Sequence, residues 1–447
     1  MVMSRKIISL ILASTMIFTL VSCIKNSSPE QTTTQEQTTT QEQTTTQEQT
    51  TTPDVTTEPS FDYVPEGQFL YANELSPIWT GNTVYDEYVM FLGKDDVVPL
   101  LYPATEIISV KSTDGKTTFV EGVDYELKDG KLIMPEGSNL TYIPEQVFWS
   151  IGNITLYTYL NGEKHITYAM GGNGMAKYQV AVTYKHESTM PISVPDCSKT
   201  FESVIKKLER GETVTIVFNG DSITNGWDNS LRSGYDPYMP PWPALVTQYL
   251  AYTYGYTIYY INPSLSDVYL YPKSKDVYGD RGKIYYINTA VGGWQAVTSY
   301  STLNNYCFKP ADMCGGCDLF FYAYGMNDQG VSAEYFSFAV KRTIRKFNEK
   351  YLNTPIVLVS SMLPNTDNVN GMGHLPEQEG ELIKIANILK GEGIKVEVAP
   401  MMSVHTYMCS IKRYRDHSGN NFNHPGDYTH RVYAQVALQT ILGYADK

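Results

Sequence analysis

The chain has 447 residues and a formal net charge of -13, from 47 acidic against 34 basic side chains. That length exceeds one typical domain, and the acidic balance with no concentrated basic stretch excludes nucleic acid as a natural partner.

At the N-terminus, Ser4-Arg5-Lys6 precedes an apolar run from Ile7 to Val21, the n-region and h-region of a secretory signal over residues 1–22. The run is too short for a permanent membrane span. Its end, Leu20-Val21-Ser22-Cys23, resembles a bacterial lipobox, which implies that Cys23 becomes the lipidated mature N-terminus and that the protein is extracytoplasmic and anchored to the cell membrane. Residues 23–60 are dominated by Gln-Thr-Thr-Thr-Gln-Glu repeats that offer nothing to a core, so a disordered tether is expected.

Residues 61–198 are punctuated by turn signals at Asp114-Gly115, Glu121-Gly122, Asp129-Gly130, Glu136-Gly137, Gly152-Asn153 and Asn161-Gly162. With short alternating runs such as Ile107 to Ser112, this predicts an all-β, sandwich-like domain. From residue 199 to the end the pattern changes to strand-helix alternation. Val214 to Phe218, Ile284 to Ala290, Asp318 to Tyr324 and Pro355 to Ser360 read as buried strands. Ala333 to Leu352 reads as a helix with Phe336, Val340, Ile344, Phe347 and Tyr351 on one face. This predicts a doubly wound α/β sheet.

The chemistry sits at the strand ends. Asn219-Gly220-Asp221-Ser222 breaks an apolar strand into a small polar turn and places a hydroxyl where open α/β sheets bind ligands. Further on come Val291-Gly292-Gly293-Trp294, then Gly325-Met326-Asn327-Asp328, then Asn423-His424-Pro425-Gly426 before a final helix bearing Val432, Val436 and Ile441. Serine, backbone glycine, side-chain amide and histidine are what acyl transfer requires. His424 removes the Ser222 proton, and the Ser222 N–H, Gly293 N–H and Asn327 amide hold the oxyanion.

These four blocks, in this order, resemble those of the SGNH hydrolases, or GDSL esterase/lipase family, over roughly Thr200 to the C-terminus. The resemblance implies a flavodoxin-like three-layer catalytic domain and puts the nucleophile on Ser222, the glycine on Gly293, the asparagine on Asn327 and the histidine on His424. The chain departs from the family in one place, since Asn421 stands three residues before the histidine where an aspartate is usual. Asn421 itself, Asp416 and Asp427 are therefore the candidates for orienting His424. A Ser-His dyad with a backbone carbonyl as orienter, known in some members, is the other route. Asp427 also reads as a helix-start residue.

Trp227, Trp242 and Trp294 lie near these blocks in sequence and are candidate sugar-binding surfaces. Cys314-Gly315-Gly316-Cys317 lacks a second C-x-x-C and reads as a local disulfide or buried thiols, while His374, His405, His417 and His430 show no ligand spacing. No metal or cofactor is expected. Export, tether and aromatic content favour an esterase removing small acyl groups, most of all acetyl, from polysaccharide. A non-catalytic polysaccharide-binding lipoprotein with a decayed triad, and a cell-wall glycan O-acetyltransferase, are the alternatives.

Overall fold

The computed structural model describes residues 68–149, 158–161, 164–167, 174–263, 265, 268–365 and 372–444. The signal segment, Cys23 and the tether lie outside them, as do Gly152-Asn153 and Gly162.

The carboxyl-terminal part is built on a seven-stranded sheet. Its order is Lys275–Val277, Tyr256–Tyr260, Gly282–Asn288, Val214–Gly220, Leu319–Ala323, Ile356–Val359, Val396–Ala399. All pairs are parallel except the first, which is antiparallel. The five strands from Gly282–Asn288 to Val396–Ala399 have the flavodoxin-like order, and the other two extend one edge. The first strand in sequence, Val214–Gly220, therefore sits where the order reverses, and the crevice beyond the strand ends at such a point is where these sheets bind ligands.

Strand alternation explains the three layers. Ile216, Phe218, Leu319 and Phe321 enter one buried cluster with Trp242, Val432 and Val436, whereas Val217, Phe320 and Tyr322 enter another with Phe336, Val340 and Phe347. Phe218 stacks on Phe321 at 4.6 Å on the first face, and Phe320 on Phe347 at 3.9 Å on the second. The helix predicted over 333–352 spans Ala333–Lys350, and Ser332 caps it by accepting from the Tyr335 N–H. Phe336, Val340, Ile344 and Phe347 are buried as its period requires.

The preceding part contains a five-stranded sheet in the order Thr118–Phe119, Ala104–Ser112, Gln179–His186, Thr83–Leu92, Tyr142–Ile143, and a smaller three-stranded one. Gly115, Gly122, Gly130 and Gly137 all have positive φ, so the Asp-Gly and Glu-Gly pairs mark real turns. The β-rich part and the α/β part lie in one compact unit, and one hydrophobic cluster runs from Phe69 through Val89 and Tyr184 to Leu442.

That shared core buries the last helix, Asp427–Leu442, on every side, beyond the stripe of Val432, Val436 and Ile441. Its polar face is covered by the amino-terminal part. Arg431 donates to the carbonyls of Tyr85 and Asp86, and Gln435 exchanges hydrogen bonds with the Ile78 N–H and the Glu74 carbonyl. No described helix is long and apolar enough to cross a membrane.

Candidate active site

Ser222 opens a short helix, Ser222–Asn225, directly after the strand that ends at Gly220. A Cβ on Gly220 would stand 2.4 Å from both the Ala323 carbonyl and Thr224 Oγ1, so only glycine permits this sharp exit. Asp221 caps the turn by accepting from the Ile223 N–H at 3.0 Å. Gly226 closes it in the left-handed conformation, and the chain then passes Trp227 to Asp228.

His424 Nε2 lies 2.9 Å from Ser222 Oγ, and His424 Nδ1 lies 2.6 Å from Asp228 Oδ2. All three side chains are buried to within a few per cent. The carboxylate on Nδ1 requires that nitrogen to carry the proton, which leaves the Nε2 lone pair facing the serine hydroxyl.

The carboxylate that meets His424 is thus Asp228, which the sequence reading did not single out, and the three candidates considered there have other partners. Asp416 accepts from the Met90 and Arg413 N–H groups. Asp427 accepts from Asn229 Nδ2 at 2.7 Å and the Ser230 N–H at 2.9 Å, so it braces the residues just beyond Asp228, and burial pushes its carboxyl up to about 6. Asn421 adopts a left-handed backbone with φ 57°, donates its N–H to Ser418 Oγ, and accepts from Asn365 Nδ2 through its carbonyl. Its part in the site is to shape the histidine loop.

That loop is held closely. Asn420 Oδ1 accepts from the N–H groups of Phe422, Asn423 and His424, and the His424 carbonyl accepts from Ser418 Oγ and the Gly419 N–H. From the β-rich part, Gln179 Nε2 donates to the carbonyls of Arg415, Asp416 and Ser418 at 2.8, 3.2 and 3.1 Å.

The Gly292-Gly293 turn packs beside the serine. A Cβ on Gly292 would lie 3.8 Å from Ser222 Cβ and 3.1 Å from Trp227 Nε1. Gly293 has φ 79° with no atom near its Cβ position. Asn327 Nδ2 donates to the Trp294 carbonyl at 2.9 Å, and Gln295 Nε2 donates to the Asn327 carbonyl at 2.7 Å, so the glycine and asparagine loops are cross-tied. An amide nitrogen carries two protons, so one remains for a ligand. Asp328, buried behind this turn, accepts from the Ala296 N–H, and burial raises its carboxyl to about 7, as it does that of Asp221.

The tryptophans separate into two groups. Trp227 is partly exposed, its ring 6.1 Å from that of His424 and covered by the Arg232 guanidinium at 4.7 Å. Trp294 is partly exposed and packs edge-on against Tyr306. Trp242 is fully buried among Phe218, Phe321 and Tyr433, which makes it a core residue with no access to a sugar.

The described cysteines Cys197, Cys307, Cys314, Cys317 and Cys409 form no disulfide, and Cys317 donates to the Leu319 carbonyl. Folding does bring His405, Cys409 and His417 together, with ligand atoms within 4.8 Å of one another, an encounter their spacing did not announce. The Leu363 N–H donates to His405 Nδ1 at 3.1 Å, so that ring carries its proton on Nε2, 3.2 Å from His417 Nδ1. In this arrangement both ring lone pairs accept hydrogen bonds. His430 is buried, with Nδ1 accepting from the Trp242 N–H, and His374 is exposed beside Glu377.

A histidine between a serine hydroxyl and a carboxylate, at the switch point of a parallel sheet, is the arrangement of a serine hydrolase site. No family model matches the chain, and no curated protein matches it in sequence. Among solved structures the neighbours are GDSL/SGNH-type and carbohydrate esterases. One is a two-domain esterase active on acetylated mannans, co-crystallised with mannopentaose, at 16% identity and a TM-score of 0.40; the match covers 56% of this chain and only 56% of that one. An acetyl xylan esterase matches at 14% identity and a TM-score of 0.35 over 51% of this chain and 98% of its own. A Clostridium thermocellum family 3 carbohydrate esterase matches at 14% and 0.33 over 52% and 98%.

Proposed function

We propose that this chain is an extracytoplasmic serine esterase that removes small acyl groups, acetyl above all, from polysaccharide. The observation that carries the reading is the hydrogen-bonded series Ser222–His424–Asp228. Ser222 Oγ attacks the ester carbonyl as its proton passes to His424 Nε2, and the Asp228 carboxylate stabilises the imidazolium that forms. The Ser222 N–H, the Gly293 N–H and the second proton of Asn327 Nδ2 receive the oxyanion. Collapse breaks the bond to the sugar oxygen, which takes its proton from His424. Water, activated by the same histidine, then releases the acid and restores the serine.

The partly exposed rings of Trp227 and Trp294 support a carbohydrate alcohol as leaving group, since flat amphipathic rings suit sugar faces. A signal segment, Cys23 and a tether support action at a membrane-anchored surface on glycan outside the cytoplasm. The non-catalytic alternative was motivated by the missing acid at Asn421, and with Asp228 on His424 it loses that motive.

The test is hydrolysis of p-nitrophenyl esters of increasing chain length by the full chain and by Ser222→Ala. Turnover concentrated on acetate and absent in the variant is expected, with an organophosphonate labelling Ser222. Turnover of no ester, or labelling of a different serine, refutes the reading.

A further inference from the structure

A cavity of about 820 Å³ opens between the amino-terminal part and the α/β part, within the roughly 300–1,000 Å³ range of small-molecule sites. Neither Ser222, His424, Gly293 nor Asn327 lines it. Six aromatic residues border it: Tyr71, Tyr238 and Tyr278 are partly exposed, and Phe69, Tyr88 and Tyr271 are buried behind the wall. Five acidic and five basic side chains border it, so the lining has no net formal charge. Some of these neutralise one another directly, Lys116 with Asp236 at 2.5 Å and Lys273 with Asp276 at 3.1 Å. A strongly charged ligand therefore finds no field to favour it.

Two lining groups remain unsatisfied. Glu74 Oε2 and Arg431 Nε are both buried without a hydrogen-bond partner. One is an acceptor and the other a donor, and each buried polar atom left unpaired costs on the order of 1–3 kcal/mol. Both atoms lie beneath the wall, and at its surface the partly exposed hydroxyls of Ser112 and Thr113 can donate to and accept from a sugar. The Arg431 guanidinium is fixed by the Tyr85 and Asp86 carbonyls on its other nitrogens. The chain leading from Asp228 also runs through Arg232, stacked between Trp227 and Tyr269, to Tyr238 on the cavity wall, which joins this cavity to the catalytic turn along one segment.

We infer that this cavity is a second carbohydrate site, which holds a short stretch of neutral glycan by ring stacking and hydroxyl hydrogen bonds away from the reacting ester. It deepens the esterase reading and rests on it for the natural ligand, an acetylated polysaccharide; the binding itself is a property of the cavity.

Calorimetric titration of the full-length Ser222→Ala protein with short manno- and xylo-oligosaccharides tests this, alongside the same protein carrying Tyr238→Ala or Tyr238→Phe. Tyr238→Ala is expected to weaken binding by about tenfold, the loss of one stacking contact, and Tyr238→Phe to restore most of it. Matching melting temperatures establish that the variants fold. Hydrogen exchange on Ser222→Ala alone is expected to slow over residues 111–116 and 236–239 when the oligosaccharide is added. Unchanged affinity in Tyr238→Ala, absence of protection in those segments, or binding of an acidic oligogalacturonate alone overturns the inference. Acetate ester turnover by the unmodified protein without oligosaccharide binding overturns this inference and leaves the esterase reading standing. Oligosaccharide binding that Tyr238→Ala weakens, with no ester turnover, supports the inference and refutes that reading.

Discussion

Asp228 Oδ2 accepts a hydrogen bond from His424 Nδ1 at 2.6 Å from the same turn that presents Ser222, while the histidine arrives from 196 residues downstream of the aspartate. Ser222 and Asp228 are thus fixed relative to one another by local backbone, and only His424 depends on a distant loop. That loop is gripped by the β-rich part through Gln179 and is closed on itself by Asn420 and Ser418.

Asp228→Asn keeps the shape of the site and removes the charge that stabilises the imidazolium. Turnover of p-nitrophenyl acetate is expected to fall by about four orders of magnitude, as in a serine protease with the equivalent change. Asn421→Asp is expected to give no gain, because Asp228 already occupies Nδ1. Steady-state kinetics on both variants decides, and a rise in turnover with Asn421→Asp would place the working acid there instead.

Asn327→Ala removes the proposed oxyanion donor and also the tie to the Trp294 carbonyl. The expected loss is about two to three orders of magnitude in kcat with a smaller change in KM, since the amide is needed chiefly when negative charge develops. A variant that hydrolyses acetate esters at near-normal rate assigns the oxyanion to other donors.

Glu87 and Lys412 form an ion pair with neither side chain exposed, Glu87 on the β-rich sheet and Lys412 at the start of the histidine loop. Glu87 also accepts from the Leu101 N–H and the Tyr184 hydroxyl. Glu87→Ala leaves the ammonium buried and unpaired, so a loss of about 3–5 kcal/mol in urea unfolding is expected. The double variant Glu87→Gln/Lys412→Met, which removes both charges, is expected to lose less. Equal losses in the two would show that the pair's charges do not govern stability.

Burial raises the Asp328 carboxyl from its ordinary 3.8 to about 7. The folded state therefore holds this proton more tightly than the unfolded chain does. The favourable contribution is complete below the ordinary value and is lost as pH rises through about 7. Asp328→Asn keeps an acceptor for the Ala296 N–H and cannot ionise. Its melting temperature relative to the unmodified protein is expected to improve steadily from acid to mildly alkaline pH. A difference that stays constant across that range contradicts a buried, proton-holding carboxyl.

The strand-to-turn step at Ser222, the glycine at 220, the helix over 333–350 and the Asp-Gly turns of the β-rich part were legible in the sequence because each is decided within a few residues. Alternation, capping and the need for a bare Cα are local physics. The identity of the acid was not legible, because Asp228 in Gly226-Trp227-Asp228 carries no signal that distinguishes it from Asp416 or Asp427. A carboxylate takes its role from what stands within about 3 Å of it. Trp242 lies as near the serine in sequence as a ligand-binding ring would, yet the sheet and the last helix close over it. The pairing of His405 with His417, the burial of the last helix on all sides and the core shared by the two parts were likewise decided only when distant segments packed. Sequence determined which local elements form and where hydroxyl, amide and imidazole sit at their ends; tertiary packing decided which of them meet, because contact between remote residues depends on the whole chain's path.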